Sequence, residues 1–416
     1  MPLRCLQWAT LGRAIPQLKP DYDAILTPTG RGACYGNAWP SNCLRCELGA
    51  TVSEIKRILL TGAGGAPALN FVKSLRLAAE PFYLIGVDCD KCHLAGAQTD
   101  ERHLVPRASH EDYIPVLQDL IAETGAQFLF AQPDCEIAVI SEHRDRLDVL
   151  TYLPARETVR ICQDKYETYR LWQEAGLEVP ETRLISSAAD LRLALIDFGE
   201  VWLRPLTGAA GRGALHTEDF EQARVWLDFN HGWGGYTVAR YLSPKSVTWQ
   251  SLWNRGELVV AQGRRRLYWE FADRTLAGVT GITGGAVTVA DPIVDDMALR
   301  AVWAVDPEPH GVFSVDLTYG SDGVPNLTEI NIGRFFTTHF FFSKAGLNMP
   351  YMLVKLAFGE EPPPVPTKIN PLPSGLAWIR GMDMEPVLTT AQALDAFERE
   401  LAARRARREA PVNVRT

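Results

Sequence analysis

The chain has 416 residues, 46% of them hydrophobic and 22% charged, the profile of a globular protein with two or three domains. Its net charge of −8 argues against a nucleic-acid partner, and it holds no run of about 18 apolar residues of the kind a membrane span needs. The opening MPLRCLQWATLGRAIPQ lacks the apolar stretch of a secretory signal, and eight cysteines in so long a chain fit a reducing compartment, so the expected location is the cytoplasm.

Residues 1–53 are rich in Gly, Pro and Cys without a sustained period, and read as an N-terminal extension whose order the pattern leaves unspecified. From Glu54 the pattern sharpens. Arg57-Ile58-Leu59-Leu60-Thr61 is the apolar run of a buried parallel strand, Gly62-Ala63-Gly64-Gly65 makes a tight turn, and residues 66–79 place apolar side chains at helical spacing. A strand over Phe82 to Val87 ends at Asp88, and a helix over 112–124 and a strand from Gln127 to Ala131 follow. This alternation predicts a doubly wound, mostly parallel sheet over residues 54–158. The glycine turn is a weak nucleotide signal, because small residues also let a strand turn tightly into a helix. A dinucleotide-dependent oxidoreductase built on Gly62 to Gly65 ranks last, since the full G-x-G-x-x-G and its ribose-binding partner are missing. Two C-x-x-C pairs, Cys43/Cys46 and Cys89/Cys92, have the spacing of zinc thiolates, but chance spacing is the favoured account of them.

A second part starts near Arg160. Residues 163–175 read as a helix stopped by Gly176, with Pro180 shortly after. Strands over Val201 to Arg204 and Tyr236 to Leu242 flank a glycine-rich loop, and a strand-rich stretch runs from Lys245 to Val289. A hairpin over Gly311 to Ile330 and a helix over 348–358 follow. Pro362, Pro363, Pro364 and Pro366 mark an exit linker, and residues 361–416 end in a charged helix whose basic end reads as a solvated face or fraying tail.

Three clusters carry the chemistry. Asp164-Lys165 heads a helix, where a lysine reaches phosphate as a compact cation. Trp202 to Gly213, WLRPLTGAAGRG, ends a strand on Arg204, suited to bidentate phosphate bonds, and continues through Gly208, Gly211 and Gly213. Such a loop brings backbone N–H groups close to phosphate, but it reads equally as a mobile surface hairpin, and it is not a Walker P-loop. The third is Gly311 to Phe335, folded about the turn Gly320-Ser321-Asp322-Gly323. A register about that turn puts Leu327 opposite Asp316 and Glu329 at the diagonal, with room for a one-residue slip. Glu329 and Asn331 share one face, and Asp316 can join it. Two carboxylates and an amide oxygen between apolar neighbours suit Mg2+, which keeps waters and takes phosphate ligands.

In order, these residues resemble the ATP-grasp superfamily, and within it the carbamoyl phosphate synthetase large-subunit type and the stand-alone carboxylate–amine ligases similar to it. The likeness runs from about Arg57 to Glu360. It implies an α/β and α+β chain: a Rossmann-like pre-ATP-grasp domain, then an ATP-grasp fold over 159–360 with a lid over about 180–242. It implies that Lys165 and Arg204 hold ATP phosphates, that the loop with Thr207, Gly208, Gly211 and Gly213 closes over them, and that Tyr241 and Leu242 border the nucleotide. It further implies that Asp316, Glu329 and Asn331 ligate Mg2+, with Mn2+ as a substitute, and that Arg334 acts with Arg204 in catalysis. The activity implied is ATP-dependent joining of a small-molecule carboxylate to an amine through an acyl phosphate, in a chain that resembles homodimeric enzymes.

Two departures from that pattern stand out. The family's ribose-holding glutamate is replaced by Ser246, and one extra residue precedes Arg334. They leave open an alternative, a non-catalytic nucleotide-binding protein with a regulatory role. Arg264 and Arg266, one apart from a shared neighbour, fall on one strand face and are candidates for a substrate carboxylate, while Arg265 points away. A solvated charge run reads equally well there. Trp269, Glu270 and Arg274 are weaker pocket candidates, and His339 reads as a packed residue rather than a base.

Overall fold

The structure, a computed structural model, describes residues 55–208, 211–381 and 391–409. Cys43 and Cys46 lie outside the described residues.

Five parallel strands open the fold: β1 (Lys56–Thr61), β2 (Phe82–Asp88), β3 (Glu101–Leu104), β4 (Phe128–Phe130) and β5 (Leu150–Thr151), ordered β3-β2-β1-β4-β5. Ile58, Leu59 and Leu60 are at most 1% exposed, as a strand covered on both faces requires. The connecting helices are α1 (Ala66–Leu75), α2 (Lys91–Ala95), α3 (Tyr113–Thr124) and α4 (Asp134–His143). Pro67 in the first turn of α1 costs no hydrogen bond, and Gly125, left-handed at φ 63°, ends α3. The strand order reverses between β1 and β4, so the Gly62–Gly65 turn and the start of α4 flank a crevice there.

Two helices, α5 (Arg156–Gln163) and α6 (Lys165–Glu174), lead to a small antiparallel sheet. Its strands β6 (Thr182–Ile185), β7 (Val201–Pro205), β8 (Leu215–Thr217) and β9 (Tyr236–Arg240) run in the order β6-β9-β7-β8. Helices α7 (Ala188–Phe198) and α8 (Phe220–Phe229) are capped by Ser187 and Asp219, each side chain accepting a first-turn N–H. Such caps contribute about 1 kcal/mol each. Ile185, Leu191, Leu203, Leu227 and Val238 give this lid a core of its own.

The large antiparallel sheet takes β10 (Ser246–Asn254), β11 (Glu257–Trp269), β12 (Thr283–Val289), β13 (Gly311–Tyr319), β14 (Pro325–Ile332) and β15 (Ala377–Ile379), in the order β14-β13-β10-β11-β12-β15. Helices α9 (Pro292–Val305), α10 (Phe340–Lys344) and α11 (Met349–Ala357) complete it. The strand-rich reading names no helix between Val289 and Gly311. The structure forms α9 there because Val294, Met297, Ala298, Ala301, Val302 and Val305 fall on one helical face, which buries against the sheet. Leu59, Ile85 and Leu129 of the parallel sheet share a core with Trp249, Phe313 and Val315 of the large one. The two sheets are therefore packed as one body, while the lid is attached through strand ends.

After the proline-rich stretch the chain returns to the large sheet. Asn370 N–H donates to Ala261 O at 2.9 Å, and β15 pairs with β12. The terminal helix α12 (Ala391–Glu409) then lies against β3 and α2. Its basic end is not simply solvated, which corrects the tail reading. Arg404 is 6% exposed and pairs with Glu123 at 2.6 Å and Glu400 at 3.1 Å, and Arg405 pairs with Asp112 at 2.9 Å.

Candidate active site

A cleft of about 730 Å³ opens between the lid and the face of the large sheet, and reaches Gly62, Pro133 and Asp134 at the crevice of the parallel sheet. Every proposed site residue lines it except Thr207 and Gly213. Thr207 is exposed, and Gly213 faces the lid interior, where an added Cβ would meet Tyr236 Oη at 2.6 Å.

The hairpin sets the deepest wall. The observed register differs from the one counted about the turn: Leu327 pairs with Leu317, and Glu329 stands directly opposite Asp316. The cause is a bulge between these two pairs that leaves Thr328 as the extra residue. Thr328 is put to use: its hydroxyl donates to Asp316 O at 2.9 Å, and its own carbonyl accepts from Arg204 Nη2 at 2.9 Å. Asp316 also accepts from Thr248 and from Asn331 Nδ2, the latter at 3.0 Å. Glu329 faces Arg204 Nη1 at 3.5 Å.

Arg204 ends β7 under the lid, and its Nε is buried without a partner. Burial pushes its pKa down, and Glu329 alone opposes this. Lys165 opens α6, whose N-cap Asp164 accepts two first-turn N–H groups. Its ammonium donates to Gly208 O at 2.6 Å, tying the helix to the glycine loop. Burial lowers the Lys165 pKa, as does the charge of Arg204, while Glu329 works the other way.

The extra residue before Arg334 is absorbed at Gly333, whose φ of 73° turns the chain back toward the cleft. An added Cβ there would meet Leu153 and Ile137 at 3.2 and 3.3 Å. Arg334 therefore still returns, donating to Asn331 Oδ1 at 2.7 Å and pairing with Asp134. Burial works against the Arg334 charge, but Asp134 outweighs it and the pKa is raised. Asp134 comes from the parallel-sheet domain, and no motif in the sequence singles it out.

On the same sheet, two strands across from Asp316, Arg264 and Arg266 line the cleft and Arg265 is exposed, as strand alternation requires. Ser246 accepts from Arg266 Nη1 at 2.6 Å, so it positions a cation where the family pattern has a carboxylate. Tyr241 lies on His216 with ring centroids 3.6 Å apart, and with Leu242 it borders the cleft mouth. Trp269 lines the cleft; Glu270 and Arg274 do not. His339 is packed as expected: burial pushes its pKa down to about 4, and Nδ1 lies 2.8 Å from Phe336 O. Cys89 and Cys92 are free and exposed.

No protein-family model matches the chain, and no curated protein matches it. Solved structures do. The biotin carboxylase domain dimer of 2-oxoglutarate carboxylase from Hydrogenobacter thermophilus, in complex with MgADP and bicarbonate, superposes with a TM-score of 0.59 at 14% identity, over 78% of this chain and 74% of that one. L-amino acid ligase from Bacillus licheniformis gives 0.55 at 13%, over 73% and 74%. Carboxyaminoimidazole ribonucleotide synthase from Aspergillus clavatus, complexed with ATP, gives 0.57 at 14%, over 76% and 80%. The chain has the ATP-grasp fold.

Within this ATP-grasp cleft, the donor set can be tested against a divalent cation. Among the described residues no cluster of three or more His, Cys, Asp or Glu side chains forms a metal cage. Asp316 and Glu329 are directly opposed across neighbouring strands, a hard-oxygen pair of the kind Mg2+ takes together with waters and phosphate oxygens. The Asn331 amide oxygen, expected to be the third ligand, is engaged by Arg334. The residues fit a cation that is completed by a nucleotide, not one held by protein alone.

Proposed function

We propose that the protein is an ATP- and Mg2+-dependent ligase that activates a carboxylate as an acyl phosphate and joins it to an amine. The observation that carries this reading is the opposed Asp316/Glu329 pair beneath Arg204 and Lys165, in a fold shared with a MgADP-bound carboxylase and an amino acid ligase. Tyr241, Leu242 and Gly208 line the cleft, and on this reading the first two would hold the base of ATP and the third its phosphates. Asp316 and Glu329 would hold Mg2+, which when bound would offset charge on the nucleotide phosphates.

Arg204 and Lys165 bind phosphate oxygens and stabilise the charge that moves with the transferring phosphoryl group. Asn331 and Asp134 hold Arg334 in place from two domains, so its guanidinium is oriented before substrate arrives. The Lys165–Gly208 bond links phosphate binding to the loop, so that closure excludes water from an acyl phosphate that would otherwise hydrolyse. Ser246 stands where the family pattern has the ribose carboxylate, and its hydroxyl accepts from Arg266 instead.

The test is a screen of carboxylate–amine pairs with ADP release as readout. The expected result is release that depends on both partners. ADP release that ignores the acid, or ATP binding with no turnover for any pair, contradicts the ligase reading.

A further inference from the structure

Thr283, at the start of β12, gathers three guanidinium groups, of which Arg264 and Arg266 line the cleft. Arg264 Nη1 and Arg266 Nε both donate to its hydroxyl, at 3.3 and 3.1 Å, and Arg380 Nε donates to its carbonyl at 2.9 Å. The two ring contacts fix the planes: Arg264 lies over Phe336 at 4.3 Å, and Arg266 over Trp269 at 3.6 Å. Arg264 is 2% exposed, and its Nε has no hydrogen-bond partner. Among the described residues neither Arg264 nor Arg266 forms an ion pair; the carboxylate whose charge reaches both is Asp316. Asp316 is already committed to Thr248, Asn331 and, on the ligase reading, the cation.

A hydroxyl orients a guanidinium but does not neutralise it. Burying two neighbouring cations without a counter-charge is unfavourable, and burial together with each other's charge pushes the Arg264 pKa down. A magnesium nucleotide keeps a net negative charge, but on the ligase reading Arg204 and Lys165 already face its phosphates, so Arg264 and Arg266 still lack a counter-charge of their own among the described residues. The register also separates the two jobs. Arg264 pairs with Thr248, and Thr248 with Asp316, so Arg264 stands two strands, about 10 Å, across the sheet from the cation carboxylate. On the ligase reading, what it reaches would lie beside the phosphoryl group and not at the cation.

Resting on the ligase reading, we propose that the acid this cleft activates is a short dicarboxylate: one carboxylate meets the γ-phosphoryl group, and the second docks on Arg264 and Arg266 around Thr283. A planar carboxylate matches the forked donors of the two guanidiniums. In the reaction an oxygen of the first carboxylate forms a bond to the γ-phosphorus as the bond to the ADP oxygen breaks. The amine nitrogen then bonds to the acyl carbon, phosphate leaves with the C–O bonding pair, and the nitrogen loses its proton to solvent. The second carboxylate stays intact and balances Arg264 and Arg266 throughout.

The experiment compares monocarboxylates, dicarboxylates and phosphorylated acids of matched chain length on the full-length protein, with ATP, Mg2+ and one set of amines. The expected result is a kcat/KM for a dicarboxylate on the order of 10²-fold or more above its monocarboxylate counterpart, because a site built for a polar group leaves its donors unpaired otherwise. Arg264→Met is expected to erase that preference, and to leave the ligand-free Tm unchanged or raised, since it removes an uncompensated buried charge. Equal turnover of monocarboxylates, or faster turnover of phosphorylated acids, overturns the dicarboxylate inference and leaves the ligase reading standing. No acid-dependent ADP release with any compound overturns the ligase reading itself. A sharp fall in Tm for Arg264→Met, together with no acid preference in the unaltered protein, makes the arginine structural.

Discussion

Arg204 is held from below by the Thr328 carbonyl and the Glu329 carboxylate, and its Nε is left buried and unpartnered. A guanidinium in that state costs several kcal/mol unless an anion completes it. On the proposed function nucleotide phosphate is that anion, so Arg204→Ala should weaken ATP binding by about 2 kcal/mol, or roughly 30-fold. Titration calorimetry checks this, and an unchanged affinity removes the phosphate role. Glu136 makes the opposite case, a buried acid with no assigned role. Burial first, and then the Asp88 charge, raises its pKa from 4.5 to about 7. The unfolded chain therefore ionises first as pH rises, and Glu136 costs stability progressively between those two values and fully above them. Glu136→Gln should raise the unfolding free energy by roughly 2–3 kcal/mol above neutrality, with the gain gone below pH 4.5. Denaturant melts across that pH range give the answer; a pH-independent difference contradicts it. Arg204 was legible in the sequence because it closes an apolar strand before a glycine loop. Asp134 was not, because its role depends on Arg334, 200 residues away.

Elements were legible where their period was strong. β1, β2, α1 and the Gly311–Ile332 hairpin sit close to where alternation places them. The hairpin register was not, because an alternation count has no way to see the bulge at Thr328. The extra residue before Arg334 looked disruptive for a similar reason: only the left-handed Gly333 shows how the chain absorbs it. The basic end of the terminal helix α12 reads in the sequence as a solvated face or fraying tail, and the structure shows that ion pairs dock it instead. His103 Nε2 lies 2.8 Å from Glu101 and Nδ1 2.8 Å from Glu400, carboxylates that accept from a protonated ring, and Arg404 approaches the same ring at 3.1 Å. Burial works against the charged ring, but Glu400 and Glu101 outweigh it and raise the His103 pKa. With the folded value above 6.5, its stabilising share is complete below that pH and is lost as pH rises through the folded value. Salt acts the same way, since the screening length falls from about 10 Å at 0.1 M to about 3 Å at 1 M. Amide exchange in α12 and β3 should therefore speed up at high salt and at alkaline pH while β1 and β2 stay protected. Equal protection of α12 under all conditions contradicts an ionic dock.

At the scale of the molecule, two sheets share continuous cores and the lid has a separate one. On the proposed function this division lets the small sheet close over a fixed floor, with Lys165–Gly208 and Arg204–Glu329 spanning the gap. The fold class was legible because strand–helix alternation, a glycine loop and a hairpin occur in an order that few folds share. The substrates were not, because the cations proposed to face the acid sit on β11 and are gathered by Thr283 of β12, which no short motif connects. The central claim is that Asp316 and Glu329 grip a divalent cation jointly with nucleotide phosphate. Calorimetric titration of ATP into the unaltered protein and into Glu329→Gln, each with Mg2+ and with EDTA, tests it most directly. The account predicts tight binding only for the unaltered protein with Mg2+, a loss of about 10²-fold in Glu329→Gln, and an unchanged circular dichroism spectrum. ATP affinity that is equal with and without Mg2+, or equal in the two proteins, contradicts it.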